Sequence, residues 1–182
     1  SLLMRHPMRA FRNFSVKKLT EDGTAAMVAI SPDGNYILSL MRDSKGEASL
    51  WLKNVPTNSN TQVQPPADTD YNGLHFSPDG NYLYFVRSDP GNTDLRFLYR
   101  APLLGGTPER LAEDVDSNIT FSPDGRKVAF MRYDNPEVGK YRLIVRTLDT
   151  GEEKVLTGGS SDQGLMSPAW SPDGNTILCV VN

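Results

Sequence analysis

The tetrapeptide Ser31-Pro32-Asp33-Gly34 occurs again at three later places in the chain, beginning at Ser77, Ser122 and Ser171. Consecutive copies start 46, 45 and 49 residues apart. A period of this length is typical of a structural repeat in which each unit buries its faces against its neighbours. We therefore expect an array of similar units rather than one undivided core.

The repeated tetrapeptide has the chemistry of a hairpin turn. Proline at the second position presets φ for a type I turn, aspartate accepts hydrogen bonds from nearby amides, and glycine adopts the left-handed conformation. We predict the following structural corner residues: Pro32, Asp33, Gly34, Pro78, Asp79, Gly80, Pro123, Asp124, Gly125, Pro172, Asp173 and Gly174. Each corner should join two strands of the same unit.

Apolar and aromatic runs flank every corner, and two further β-prone runs follow in register in three of the units. Four strands per unit and a period in the forties predict an all-β chain, a β-propeller with four-stranded antiparallel blades. The predicted divisions are a basic N-terminal linker at 1–13, an orphan outer strand at 14–20, blades at about 25–66, 71–112 and 117–157, and a half blade at 165–182.

The predicted ring is incomplete. The orphan outer strand would lie parallel, not antiparallel, to the last strand of the half blade, so closure at four blades is strained. Propellers contain roughly four to eight blades. We expect the chain to be part of a larger propeller, whose open ends could also pair in a dimer.

Charge and hydropathy exclude several classes of partner. Five basic residues and no acidic residue fall in positions 1–18, whereas acidic residues outnumber basic ones in the remainder. An acidic array disfavours nucleic acid as a partner. No apolar run approaches the roughly 20 residues that a transmembrane helix needs, so we predict no transmembrane segment in this chain.

The sequence contains no pattern typical of catalysis. His6, His75 and Cys179 do not have the spacing of zinc ligands, and there is no Gly-x-Ser-x-Gly elbow or phosphate-binding glycine loop. We interpret His75 as a hydrogen-bonded structural histidine and Cys179 as a buried core thiol. The chain is predicted not to be an enzyme and to need no cofactor.

One segment resembles the opening of a calcium-binding loop. Asp68, Asp70, Asn72 and Gly73 fit its first positions, and Asp79 lies at the twelfth. The surrounding residues are predicted to be strand, and Asp79 already belongs to a corner. We therefore predict no metal site here.

Three arginines, Arg42, Arg87 and Arg132, end the second strand in successive units, each followed within two residues by an aspartate. They are a candidate ligand rim, because a guanidinium binds anions through forked hydrogen bonds. Ion pairs between blades are the favoured alternative. The loops expected to vary, and so to carry function, are 43–48, 88–94, 134–140, 66–72, 112–117 and 158–165.

The strings Ile30-Ser-Pro-Asp-Gly34, Phe76-Ser-Pro-Asp-Gly80, Phe121-Ser-Pro-Asp-Gly125 and Trp170-Ser-Pro-Asp-Gly174 resemble the PD40 repeat, a WD40-like repeat of TolB-type propellers. Segments such as Leu103-Leu-Gly-Gly-Thr-Pro108 are also similar to the C-terminal propeller region of acidobacterial serine/threonine protein kinases. That resemblance implies a sensor or interaction region, often outside the cytoplasm.

The function expected from the sequence is therefore a non-catalytic module that presents rim loops to a protein, peptide or cell-wall ligand within a larger bacterial signalling protein. The alternative is an accessory propeller of an enzyme, such as the substrate-gating propeller of a prolyl-oligopeptidase-type serine peptidase. The expected location is the periplasmic face of a bacterium, and the cytoplasm is the alternative.

Overall fold

The computed structural model describes residues 25–163 and 165–181, which consist of strands, turns and one short 3-10 turn at Ser161–Gln163. The strands are β1 Ala25–Ile30, β2 Tyr36–Arg42, β3 Ala48–Asn54, β4 Asn60–Ala67, β5 Tyr71–Phe76, β6 Tyr82–Asp89, β7 Asn92–Pro102, β8 Glu109–Glu113, β9 Thr120–Phe121, β10 Lys127–Tyr133, β11 Lys140–Thr147, β12 Glu153–Ser160, β13 Leu165–Trp170 and β14 Ile177–Val181. The linker predicted at 1–13 and the strand predicted at 14–20 lie outside the described residues. Within those described, no helix has the length and apolar character to cross a membrane.

The strands form separate antiparallel sheets in sequence order. Blade 1 contains β1 to β4, blade 2 contains β5 to β8, blade 3 contains β9 to β12, and the half blade contains β13 and β14. The prediction of an all-β propeller with four-stranded blades is confirmed. The first strand of each sheet leads into a corner, and the second strand leads away from it.

All four Ser-Pro-Asp-Gly corners share one hydrogen-bond pattern. At the first corner the Gly34 amide donates to the Ser31 carbonyl over 2.9 Å, and the Ser31 hydroxyl donates to Asp33 Oδ1 over 2.5 Å. The same hydroxyl accepts from the Tyr36 amide at 2.9 Å, while Asp33 Oδ1 accepts from the Asn35 amide at 3.0 Å. Gly34 has φ 74°, the left-handed conformation that the sequence predicts.

These hydrogen bonds stabilise the ionised form of the corner aspartates. The serine hydroxyl, followed by a backbone amide, lowers the pKa of each carboxyl below its usual value of 3.8. The stabilisation is therefore present above that value and is lost as the pH falls through the lower pKa of the folded state. The four affected residues are Asp33, Asp79, Asp124 and Asp173.

Alternating side chains of blades 2 and 3 pack against the blades on either side. In β6, Leu83 and Phe85 belong to the apolar cluster shared with blade 1, whereas Tyr84 and Val86 belong to the cluster shared with blade 3. This is the period of two that an extended strand imposes on its side chains. A third cluster joins blade 3 to the half blade.

Cys179 contacts the third cluster, but it is half-buried rather than buried as the sequence predicts. The reason is its place in β14, which is the edge strand of its sheet within the described residues. Burial raises the pKa of its thiol.

Consecutive corners lie close to each other. A Cβ atom added to each later corner glycine would lie within van der Waals reach of the proline ring of the preceding corner. Such a Cβ would lie 3.9 Å from Pro32 at Gly80, 3.4 Å from Pro78 at Gly125 and 3.6 Å from Pro123 at Gly174. Each later corner glycine therefore has little room for a side chain beside the preceding corner.

We predict that Gly125→Val destabilises the chain more than Gly34→Val does. Both glycines have positive φ, 70° and 74°, so valine is strained equally at the two positions. Only Gly125 has a proline beside it, since nothing lies within 4 Å of a Cβ at Gly34. Urea unfolding should show that the free energy of unfolding falls by about 1–3 kcal/mol more for Gly125→Val than for Gly34→Val, which is the usual cost of overpacking. Equal losses at the two sites would show that the corners do not pack on each other.

Candidate ligand-binding rim

The second strands β2, β6 and β10 run away from their corners and end at the opposite edge of the blades, which we call the arginine rim. Arg42, Arg87 and Arg132 all lie there. The loops that join second to third strands, and the connections between blades, meet at the same rim. The sequence places the three arginines at one edge, and the structure has them there.

The arginines do not repeat evenly from blade to blade. Arg87 and Arg132 follow Phe85 and Phe130 by two positions and face the preceding blade with them. Arg42 follows Leu40, which faces the next blade, because it stands one position further from its corner. The first junction between blades therefore receives two of the arginines and the second junction receives one.

Arg42 is held by an ion pair between blades. Its Nη2 atom lies 3.3 Å from Asp70 Oδ1, at the start of blade 2, and its Nη1 atom donates to the Gly46 carbonyl at 3.1 Å. Arg96 approaches the other carboxylate oxygen of Asp70, at 3.0 Å. The aspartate that neutralises Arg42 is thus Asp70 and not the adjacent Asp43.

Arg132 has the most hydrogen bonds of the three. Its Nε donates to the Asp114 carbonyl at 3.1 Å, its Nη2 to the Glu113 carbonyl at 2.9 Å, and its Nη1 to Glu153 at 3.1 Å. Glu153 also accepts from Arg146 at 3.0 Å. With all three nitrogens occupied, Arg132 is committed to joining blade 2 to blade 3.

Arg87 differs from both. Its guanidinium carbon lies 4.7 Å from the centre of the Tyr99 ring, and its buried Nε has no hydrogen-bond partner. Among the residues that the structure describes, no carboxylate forms an ion pair with it. Burial raises the pKa of the Tyr71 phenol to about 12, and the positive charge of Arg87 acts in the opposite direction.

Arg87 belongs to an arginine–aromatic cluster at the first junction, which comprises Tyr71, Arg87, Asp89, Phe97, Tyr99 and Arg110. Arg110 lies 3.8 Å from the centre of the Phe97 ring and 2.7 Å from Asp89 Oδ2. Asp89 also accepts from the Tyr99 hydroxyl at 2.6 Å, which is the main cause of its lowered pKa. Asp89 is therefore occupied by other partners, and Arg87 keeps donors for an external acceptor.

In the segment that resembles a calcium loop, the side chains do not gather around a common centre. Asp70 binds arginines, Asn72 donates to the Asp116 carbonyl at 3.0 Å, and Asp79 accepts from Ser77 at a corner. Within residues 25–163 and 165–181, no three acidic, histidine or cysteine side chains are placed to hold a metal ion.

His75 lies on the inner strand β5 and joins blade 2 to blade 3. Its Nε2 is hydrogen-bonded to Asn118 Oδ1, which also accepts from the Ile119 amide at 3.1 Å. Because this oxygen is an acceptor, Nε2 carries the proton. The ring also meets Phe121 edge-on at 6.4 Å, and burial lowers the pKa of the imidazole.

A cleft of about 440 Å³ opens between the second and third corners. Tyr82 and Arg100 line one side, and Pro123 and Arg126 line the other. Arg100 is already paired with Glu109 at 2.7 Å and stacks on Tyr82 at 5.1 Å. Arg100 is therefore less available to a ligand than Arg87 at the opposite rim.

Arg96, Arg110 and the acceptor role of Asp70 were not predicted from the sequence. Pairing the predicted strands outward from the corner would have found Arg110, since the register sets it opposite Tyr99. Asp70 and Arg96 meet across a loop, and no repeat pattern marks their contact.

Residues 15–182 match the family of the TolB beta propeller domain, PD40, and the chain belongs to this family. It is 33% identical over 116 residues to an uncharacterized protein of Agrobacterium fabrum, a match that covers 59% of this chain and 39% of that protein. It is 30% identical over 112 residues to the uncharacterized peptidase YuxL of Bacillus subtilis, covering 59% of this chain and 16% of the peptidase. The chain thus spans well under half the length of these relatives.

Among solved structures, the chain is similar to an oligogalacturonate lyase from Vibrio parahaemolyticus, with a TM-score of 0.70 and 18% identity. The match covers 90% of this chain and 49% of the lyase chain. At this identity the likeness shows the propeller fold alone.

We predict that His75 titrates below the ordinary histidine value of 6.5, because its lowered pKa reflects a half-buried neutral ring. Below pH 6.5 the unfolded state binds a proton at His75 that the folded state does not bind. The contribution of His75 to stability is therefore fully present above pH 6.5 and is lost as the pH falls from 6.5 through the pKa of the folded state. Urea unfolding between pH 7 and pH 5 should show this slope, and His75→Gln should flatten it. An NMR titration that placed the His75 pKa at or above 6.5 would contradict the interpretation.

Proposed function

We propose that the chain is a non-catalytic binding module whose arginine rim binds a carboxylate-bearing segment of a protein or peptide partner. The observation that supports this most is Arg87. Among the three arginines that the sequence singles out, Arg42 and Arg132 are paired with protein acceptors, whereas Arg87 has an aromatic ring beneath it and forms no ion pair with the described residues.

The surroundings of Arg87 suit an anionic ligand. Because the guanidinium lies over the Tyr99 ring, with its carbon 4.7 Å from the ring centre, we expect less side-chain entropy to be lost when a carboxylate binds. Its neighbour Arg110 is exposed on 46% of its side chain and adds a second positive charge. Because Asp89 bridges Tyr99 and Arg110, the cluster is held in place before a ligand arrives.

We further propose that the module senses or docks a partner within a larger bacterial protein, on the periplasmic side of the membrane. The resemblance to kinase-associated propellers supports this wider role. In the longer coding sequence, kinase motifs and a transmembrane run before Ser1 would agree with it.

The second candidate function is an accessory propeller of a peptidase. Its support is the similarity to YuxL, which is named a peptidase and of which the chain covers 16%. A Gly-x-Ser-x-Gly elbow encoded after Asn182 would favour this candidate over the sensor, because that elbow carries the nucleophile of such hydrolases.

The proposal predicts that tetraglutamate binds the chain and that Arg87→Gln weakens the binding about 10- to 100-fold, the worth of one charge-assisted hydrogen bond. Isothermal titration calorimetry measures the dissociation constant, with trigalacturonate as the carbohydrate counterpart. Arg100→Gln is the matched control, since Arg100 lies at the corner rim and is paired with Glu109.

Tetraglutamate binding that Arg87→Gln alone weakens supports the proposal, and stronger binding of trigalacturonate would redirect it to acidic glycans. Equal weakening by the two variants would assign the effect to net charge and contradict a specific site. The absence of binding by either probe would overturn the proposed ligand class.

A further inference from the structure

The cleft between the second and third corners lies at the corner rim, the edge of the blades opposite the arginine rim. Its volume of about 440 Å³ falls within the size range of small-molecule sites, roughly 300–1,000 Å³. Both walls belong to blades whose four strands are all described. The side chains used below are Tyr82 and Arg100 from blade 2, and Asp124, Arg126 and Asp149 from blade 3.

The first junction has a groove at the equivalent place, but that groove is smaller and more apolar. Leu104 is the counterpart of Asp149, because each follows a leucine whose amide donates to the carbonyl of the residue after a corner glycine. The strand register makes Leu52 the counterpart of Arg100. Leu52 and Leu104 both line the first groove, which has a volume of about 160 Å³. The charged lining is therefore particular to the second junction.

The third corner departs from the hydrogen-bond pattern of the others at one carboxylate oxygen. At the second corner Asn81 follows the glycine, and its side chain donates to Asp79 Oδ2 at 2.9 Å; the first corner has the same bond. At the third corner Arg126 stands in that position. The described residues supply donors to Asp124 Oδ1 but none to Asp124 Oδ2. The cleft thus has an acceptor that the earlier corners satisfy internally.

Two further charged side chains of the cleft are also without ion pairs. Arg126 and Asp149 are exposed, and neither pairs with another of the described residues. Arg100, by contrast, is paired with Glu109 at 2.7 Å. Tyr82 adds an aromatic ring, and this residue is 37% exposed. One cleft therefore combines open carboxylate oxygens, one open guanidinium and an aromatic side chain.

We propose that this cleft binds a neutral sugar. A hydroxyl both donates and accepts hydrogen bonds, so neighbouring sugar hydroxyls satisfy the carboxylates of Asp124 and Asp149 and the guanidinium of Arg126 together. The Tyr82 ring supplies the apolar contact that small-molecule sites combine with a few polar groups. A ligand with one net charge would instead lie against an open charge of its own sign, which is unfavourable. This site is separate from the one proposed at the arginine rim.

An NMR titration of the full chain with glucose, cellobiose and N,N′-diacetylchitobiose tests the proposal. We expect at least one of these neutral sugars to shift the backbone amide signals of Asp124, Arg126 and Asp149 in a saturable way. Arg126→Asn and Asp149→Asn should each raise its dissociation constant about 10- to 100-fold, because each removes a hydrogen bond to a charged group. Arg126→Asn introduces the residue found at the other three corners, so the turn should be retained.

Lys140→Asn is the matched control for the loss of one positive charge. Lys140 is exposed at the arginine rim, and its substitution should leave the dissociation constant unchanged. The spectrum of each variant also shows whether it is folded.

The two cleft variants change the net charge in opposite directions, so weakening by both supports a neutral ligand. Glucuronate and glucosamine are the singly charged counterparts of glucose. Tighter binding of either one than of glucose would show that the cleft selects charge, and would overturn the proposal. Equal weakening by Lys140→Asn, sugar binding that either cleft variant leaves unchanged, or no shift with any of the three neutral sugars would also overturn it.

Discussion

The structure depends on the contact between each corner and the next one. The serine and aspartate side chains hold the turn through short hydrogen bonds, which places a left-handed glycine where the preceding proline ring can approach it. A side chain at the glycine would meet that ring, so the same four residues set both the hairpin and the spacing of the blades. The apolar clusters fill the space between the blades.

The number of residues between a side chain and its corner decides which junction between blades the side chain faces. A strand alternates faces with every residue, so a side chain one position further along belongs to a different junction. Arg42 and Arg87 illustrate this, because both face the first junction from opposite blades although the sequence sets them in equivalent strands. The binding surface at the arginine rim is therefore specific to one junction, even though the fold repeats.

Much of the fold could be predicted from the sequence because its determinants are local. Proline, aspartate and glycine define the corners through their own backbone preferences, and the flanking apolar runs define the strands. The candidate site was harder to predict from the sequence. The sequence indicated Arg42 and Arg132, but their acceptors Asp70 and Asp114 come from other strands and loops, and contacts between segments distant in the chain leave no local pattern.

A double-mutant cycle between Pro78 and Gly125 tests the packing of corners most directly. Gly125→Val should be costly when Pro78 is present and less costly in the Pro78→Ala background, because the ring that valine meets has been removed. We predict a coupling free energy of about 1 kcal/mol from urea unfolding of the four proteins, within the range measured for residues in contact. A coupling of zero would contradict the account, since the two corners would then act independently.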